Sequence, residues 1–174
     1  SRLPRGASSE QLAMGIQPEA SSQKSVAGYT LIDTEKKFEE FLQKLAKQKI
    51  FAFDTETDNV DPLRAKLVGM SFSWKEAFAQ YIPFYSSSGA AGEVEKFWQE
   101  IFSTSSKNIL QGIFANPNIA KIAHNAKFDI EACATAGITV AGLAFDTMIA
   151  SYLLNPGSRQ HGLDKIAFEE FGFR

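Results

Sequence analysis

The chain has 174 residues, 44% of them hydrophobic, with 18 Lys and Arg against 20 Asp and Glu and a single cysteine, Cys133. That length suits one globular domain burying roughly two thirds of its unfolded surface; one cysteine excludes an intramolecular disulfide framework, and with no signal peptide or membrane-spanning apolar run the expected compartment is a reducing cytoplasm. A net charge of −2 and a pI near 5.7 exclude wrapping of duplex nucleic acid by bulk electrostatics, while leaving room for a local groove that touches few phosphates.

Residues 1–27 are rich in Ser, Ala, Gly and Gln and show no sustained period, so they read as a flexible tail or linker, with the domain running over 28–174. "YTLI" predicts a short strand. Asp33 or Thr34 then caps a helix whose Phe38, Phe41, Leu42 and Leu45 follow the spacing of one helical face. "KIFAFDTET" reads as a buried strand, and "KLVGMSFSW" and "AFAQYIPF" as an antiparallel hairpin, so three adjacent strands are expected. After "SSSGAAG" come helical patterns at 93–102 and about 107–115, a short strand "AKIAH", and helices at about 126–136, 146–154 and 162–171, with Gly137 and Pro156 marking two of the ends. A strand meander followed by alternating helix and strand predicts an α/β domain with a mixed sheet flanked by helices.

Two stretches carry candidate chemistry. In "FAFDTETDN", Asp54 and Glu56 stand two positions apart in a predicted strand, so they share a face. Carboxylates a few Å apart repel unless a cation sits between them, which is how such pairs come to hold Mg²⁺ or Mn²⁺. A polar strand end has the same spacing. In "HNAKFDIEACATAG" a strand end passes through His124 and Asn125 into a helix bearing Asp129 in its first turn, where the macrodipole alone favours an acid. His124 reads equally as a packed strand-end histidine. Phe128, Ile130 and Cys133 look like core, and Cys133 has no His or Cys neighbour in ligand spacing.

Taken together, "FAFDTETD", the hairpin ending "AQYIPF", "KIAHNAKFD", and "GLAFDTMIASYLLNP" followed by "HGLDKIA" resemble the 3′–5′ exonuclease (proofreading) domain of bacterial DNA polymerase I, the family A DNA polymerases, from about Tyr29 to Arg174. The resemblance implies the ribonuclease H-like α/β fold and two divalent cations, Mg²⁺ or Mn²⁺, with Zn²⁺ an option at one site. Asp54 would bridge both ions, Glu56 would bind the first and help orient the attacking water, and Asp129 would serve the second, partly through water. Asn125, Phe128 and Val60 would form the substrate-binding set, Asn125 at the substrate end and Val60 against the terminal base; a core valine would look the same. Asp146 in "FDTM" is not a metal ligand in the family, and its expected role is to cap the helix beginning at Thr147.

The activity so implied is hydrolysis of the terminal phosphodiester of a single-stranded or frayed 3′ end of DNA, in proofreading during replication and in repair. The expected setting is a monomer in the bacterial cytoplasm at the nucleoid, with a nucleotidyltransferase (polymerase) domain C-terminal in the full-length protein. Arg64, Lys66, Lys127 and Arg159 are candidate backbone contacts, each with an ordinary solvated reading beside it. The family's fourth acid lies in a Tyr-x-x-x-Asp motif downstream of "HGLDKIA", and Asp164, Glu169 and Glu170 do not stand in that pattern. Residues 28–174 therefore read as a C-terminally incomplete exonuclease domain, expected to be weakly active alone. The alternatives are a silent exonuclease-like module that braces a polymerase, an RNase D-like enzyme on RNA, and an exonuclease of the histidine-bearing type.

Overall fold

A computed structural model describes residues 28–84 and 105–172, apart from the side chain of Lys107. The tail at 1–27 and the helical pattern at 93–102 lie outside the described residues. Six strands, β1 (Gly28–Leu31), β2 (Ile50–Thr57), β3 (Leu67–Ser73), β4 (Phe78–Pro83), β5 (Ala120–Ala123) and β6 (Leu143–Asp146), form one sheet in the order β1-β4-β3-β2-β5-β6. The β2-β3-β4 meander is antiparallel, as its sequence predicts, while β1 joins β4, β5 joins β2 and β6 joins β5 in parallel. Helices α1 (Glu35–Leu45), α2 (Ser105–Ala115), α3 (Ala126–Thr135), α4 (Thr147–Leu154) and α5 (Leu163–Phe171) complete the described chain. Among the described residues no helix is long and apolar enough to cross a membrane.

Alternation along the strands divides the sheet into two unlike faces. On one, Phe51, Phe53, Met70, Phe72 and Ile82 are buried against Phe38, Phe41, Leu42 and Leu45 of α1 and Leu110, Ile113 and Phe114 of α2. Phe114 is the hub of that core, its ring centroid 5.7, 5.2 and 6.1 Å from those of Phe51, Phe53 and Phe72. Each such fully buried aromatic contributes about 2–3 kcal/mol of hydrophobic stabilisation, so this face holds the domain together. The opposite face carries small and polar residues: Ala52, Asp54 and Glu56 on β2, Gly69, Ser71 and Ser73 on β3, Ala79 and Tyr81 on β4. With small side chains over the meander, that face keeps a cleft, walled on its other sides by Ile122 of β5 and Leu163 of α5.

Local signals place the helix ends. Thr34, not Asp33, caps α1, accepting from the Lys37 N–H, while Asp33 pairs with the Lys37 ammonium at 2.6 Å. Gly137, at φ 76°, ends α3 and lets Ile138 N–H reach back to Cys133 O at 2.8 Å. The strand β6 is not anticipated by the sequence reading, which passes directly from Gly137 to the helix at 146. Its four residues form a short outer strand with Leu143 and Phe145 half-exposed, so neither a hydrophobic run nor a buried alternation announces it. What steers the chain there is Gly142, at φ 72°, where a Cβ would lie 2.8 Å from Ile119 O.

Candidate active site

The site is built where β2 outruns β5. Their parallel pairing ends at Ala52 and Ile122, so the β2 edge beyond that point has no strand partner. The chain leaves β5, turns through Asn125 in the left-handed region (φ 64°, ψ 45°) and enters α3, which lies along that edge. Asp129, in the first turn of α3, closes it: Oδ1 accepts the Thr55 backbone N–H at 2.9 Å and the Thr55 hydroxyl at 2.6 Å. Asp54 and Glu56 flank Thr55 and point from the other face of the strand. Thr55 is thus the residue that positions Asp129 beside the Asp54–Glu56 pair. The sequence reading misses it, because a threonine inside a strand carries no signal beyond β propensity.

Electrostatics couple the acids pairwise, Glu56 with Asp54 and Asp54 with Asp129. Asp129 is 2% exposed, and that burial pushes its pKa up to about 6 against the opposing pull of its two Thr55 hydrogen bonds, with the Asp54 charge adding to the rise. Burial also raises Asp54, then the Glu56 charge beside it, while His124 acts in the opposite direction. Glu56 is solvent-exposed, and its charge joins burial in raising the Tyr81 phenol. The three carboxylates do not converge on a single point: among the described residues no three His, Cys, Asp or Glu side chains gather as a shell for one ion. None of the three is in an ion pair with a described cation. Asp54 and Asp129, whose ionisation burial opposes, and the exposed Glu56 carboxylate are oxygen donors of the kind a hard divalent cation takes.

The surroundings separate the other predicted residues. A cleft of about 220 Å³ opens beside Asp54, lined by Ala52, Ser71, Ser73, Ala79, His124 and Leu163 among others. His124 turns Nδ1 to Thr147 Oγ1 at 2.8 Å, so it is both cleft wall and tether to α4. Val60 is 93% exposed, which overturns the core-valine reading, and it lines a second groove with Phe128, Thr57, Asp58 and Asn59. Phe128 is accordingly only partly buried against the core. Asn125 makes no side-chain cap bond and is exposed. Arg64, Lys66 and Lys127 are exposed, Arg64 reaching Asp61 at 3.4 Å. Arg159 lies in a different groove with Gln160 to Lys165. Cys133 is fully buried, its thiol pushed up to about 12 by that burial and then by Asp129, so it offers no ligand.

Asp146 is the cap that the sequence predicts. Its carboxylate accepts Met148 N–H at 2.8 Å and Ile149 N–H at 3.2 Å at the start of α4, and also Ala126 N–H at 2.7 Å and Asn125 N–H at 3.2 Å at the start of α3. One side chain therefore fastens two helix N-termini together.

A family model described as 3′–5′ exonuclease matches residues 29–174. The chain belongs to the DNA polymerase A 3′–5′ exonuclease family. It is 33% identical over 146 residues to DNA polymerase I of Pseudomonas aeruginosa, covering 83% of this chain and 15% of that protein. To DNA polymerase I of Chloroflexus aurantiacus it is 42% identical over 131 residues, covering 75% of this chain and 13% of that one. The chain thus spans about one seventh of the length of these relatives. Among solved structures, the catalytic core of RRP6 from Trypanosoma brucei superposes with a TM-score of 0.63 at 19% identity, over 85% of this chain and 36% of that one. Brucella melitensis NrnC with bound Mg²⁺ superposes with a TM-score of 0.57 at 24% identity, over 84% and 62%. Such neighbours show that the fold of this family member is ribonuclease H-like, in agreement with the mixed sheet described above.

Proposed function

We propose that the chain is the exonuclease domain of a DNA polymerase I and removes nucleotides from single-stranded or frayed 3′ DNA ends for proofreading, next to a polymerase domain in the full-length protein. The observation that carries this reading is the placing of Asp129 against Thr55, between Asp54 and Glu56, in a chain that belongs to an exonuclease family. Asp54, Glu56 and Asp129 would hold two divalent cations, Mg²⁺ or Mn²⁺, and Asp54 stands in electrostatic reach of both other acids. When bound, the cations supply Lewis acidity and a nucleophilic water ionised near neutral pH. The chain's own residues then select and orient the substrate. Val60 and Phe128 offer the terminal base two apolar side chains in a groove otherwise lined by Thr57, Asp58 and Asn59, the free Asn125 amide can hydrogen-bond the substrate end, and Arg64, Lys66 and Lys127 are exposed cations able to meet backbone phosphates.

The test uses a 3′-labelled single-stranded oligodeoxynucleotide with Mn²⁺, and a ribo-oligonucleotide of the same sequence beside it, since the same acids could serve RNA. Wild type should release mononucleotides from the DNA slowly, as expected of a domain lacking its fourth acid, and Asp54→Ala should abolish that release. Unchanged cleavage or unchanged Mn²⁺ affinity in Asp54→Ala would leave a module that only braces its polymerase.

A further inference from the structure

Tyr81 stands on the same face of the sheet as the acids, and the ladder places it with some accuracy. Asp54 faces Ser71 across the β2–β3 pair, Ser71 faces Tyr81 across β3–β4, and Glu56 faces Gly69. Cross-strand partners of this kind lie about 4.5–5.5 Å apart at Cβ. Instead of standing over Ser71, the Tyr81 side chain leans diagonally onto Gly69. A Cβ at Gly69 would lie 2.9 Å from Tyr81 Cε2, 2.5 Å from Cζ, and nearer still to the hydroxyl. Gly69 is therefore required here for the room it leaves, and that room is filled by a phenol whose hydroxyl ends above the residue directly opposite Glu56. Among the described residues neither the Tyr81 hydroxyl nor the Glu56 carboxylate has a hydrogen-bond partner. A donor and an acceptor, neither hydrogen-bonded within the described residues, thus stand on one face of the sheet, near enough for the Glu56 charge to raise the Tyr81 phenol.

We propose that Tyr81 is a positioning residue for Glu56, its hydroxyl, seated over Gly69, donating to the Glu56 carboxylate and holding it in the orientation in which it serves as a metal ligand. The assignment rests on the reading of Asp54, Glu56 and Asp129 as a divalent-cation site. Partners that orient a ligand from outside the coordination shell change metal affinity or activity by 10–100-fold when removed. The Tyr81→Phe variant keeps the ring over Gly69 and deletes only the donor, so it should fold as wild type does. Calorimetric titration with Mn²⁺ alone, on wild type, Asp54→Ala, Tyr81→Phe, Glu56→Gln and the Tyr81→Phe/Glu56→Gln double variant, separates the possibilities. Expected are loss of binding in Asp54→Ala, a fall of about 10-fold or more in Tyr81→Phe at unchanged Tm, and no further fall when Tyr81→Phe is added to Glu56→Gln. Gly69→Ala, which displaces the ring with its hydroxyl intact, should weaken Mn²⁺ binding in the same way. If Asp54→Ala loses Mn²⁺ while Tyr81→Phe binds it like wild type, the site stands and the role of Tyr81 falls. If the Tyr81→Phe loss adds in full to that of Glu56→Gln, Tyr81 does not act through Glu56. If Asp54→Ala binds Mn²⁺ as wild type does, the cation site itself falls, and the Tyr81 assignment with it.

Discussion

Asp129 shows how one residue's burial sets both stability and chemistry. Its two hydrogen bonds from Thr55 favour the carboxylate, yet they do not offset the cost of burying it next to Asp54, and the pKa settles at about 6. The folded chain consequently holds a proton on Asp129 between about pH 4 and 6 that the unfolded chain, with the ordinary carboxylate value of 3.8, has already lost. Stability contributed by this group therefore falls as pH rises through that window, on the order of 2–3 kcal/mol in total. Asp129→Asn keeps an acceptor for Thr55 and removes the charge. Its urea-unfolding free energy should lack this fall between pH 4.5 and 7.5, and should exceed that of wild type at the upper end in metal-free buffer. Parallel pH profiles for the two proteins would show that burial of the charge is not the controlling cost. Because a cation ligand must be deprotonated, Mn²⁺ affinity of wild type should also weaken below about pH 6.

At the scale of elements, the arrangement depends on how α3 and α4 begin. Asp146 ends β6, caps α4 and accepts two N–H groups from the start of α3, so the helix that carries Asp129 and the helix that tethers His124 share one anchor. Burial raises the Asp146 pKa, but the four backbone donors outweigh it and hold the group below its ordinary value. Its stabilising contribution is accordingly present at neutral pH and lost as pH falls through the folded value, the opposite sense to Asp129. Asp146→Ala should cost about 1–2 kcal/mol in urea unfolding at pH 7, the range for a lost N-cap. It should also reduce exonuclease rate, because the start of α3 is released; a variant with wild-type stability would show that water replaces the carboxylate at no cost.

Across the whole molecule, stability is unevenly spread. The meander and its β5 partner are sandwiched against α1, α2 and α3 by an aromatic core, whereas α4 and α5 contain no fully buried residue and leave Leu153, Leu154 and Phe171 largely exposed. Between these helices His161 is buried, stacks on Tyr152 with centroids 3.7 Å apart, and pairs through Nδ1 with Ser151 Oγ at 2.9 Å. Local opening free energy follows buried apolar contact. Native-state hydrogen exchange should therefore find the amides of β2 and β3 most protected and those of α4 and α5 exchanging by local opening; uniform protection would mean that the two helices unfold only with the sheet.

The sequence by itself determined the meander, the amphipathic α1 and the Asp146 cap, and it singled out Asp54, Glu56 and Asp129 as candidate acids, because each of these is written in a local period, a local cap or a short motif. Asp54 and Glu56 share a face by the geometry of any strand, so that pairing needed no tertiary information. Only the tertiary structure decided that Asp129 meets the strand through Thr55, that Val60 is exposed beside Phe128, that four unremarkable residues form β6, and that Tyr81 lies over Gly69 opposite Glu56. Each of those depends on residues far apart in the chain that are brought together by register and by the room a neighbour leaves, and neither quantity has a local signature.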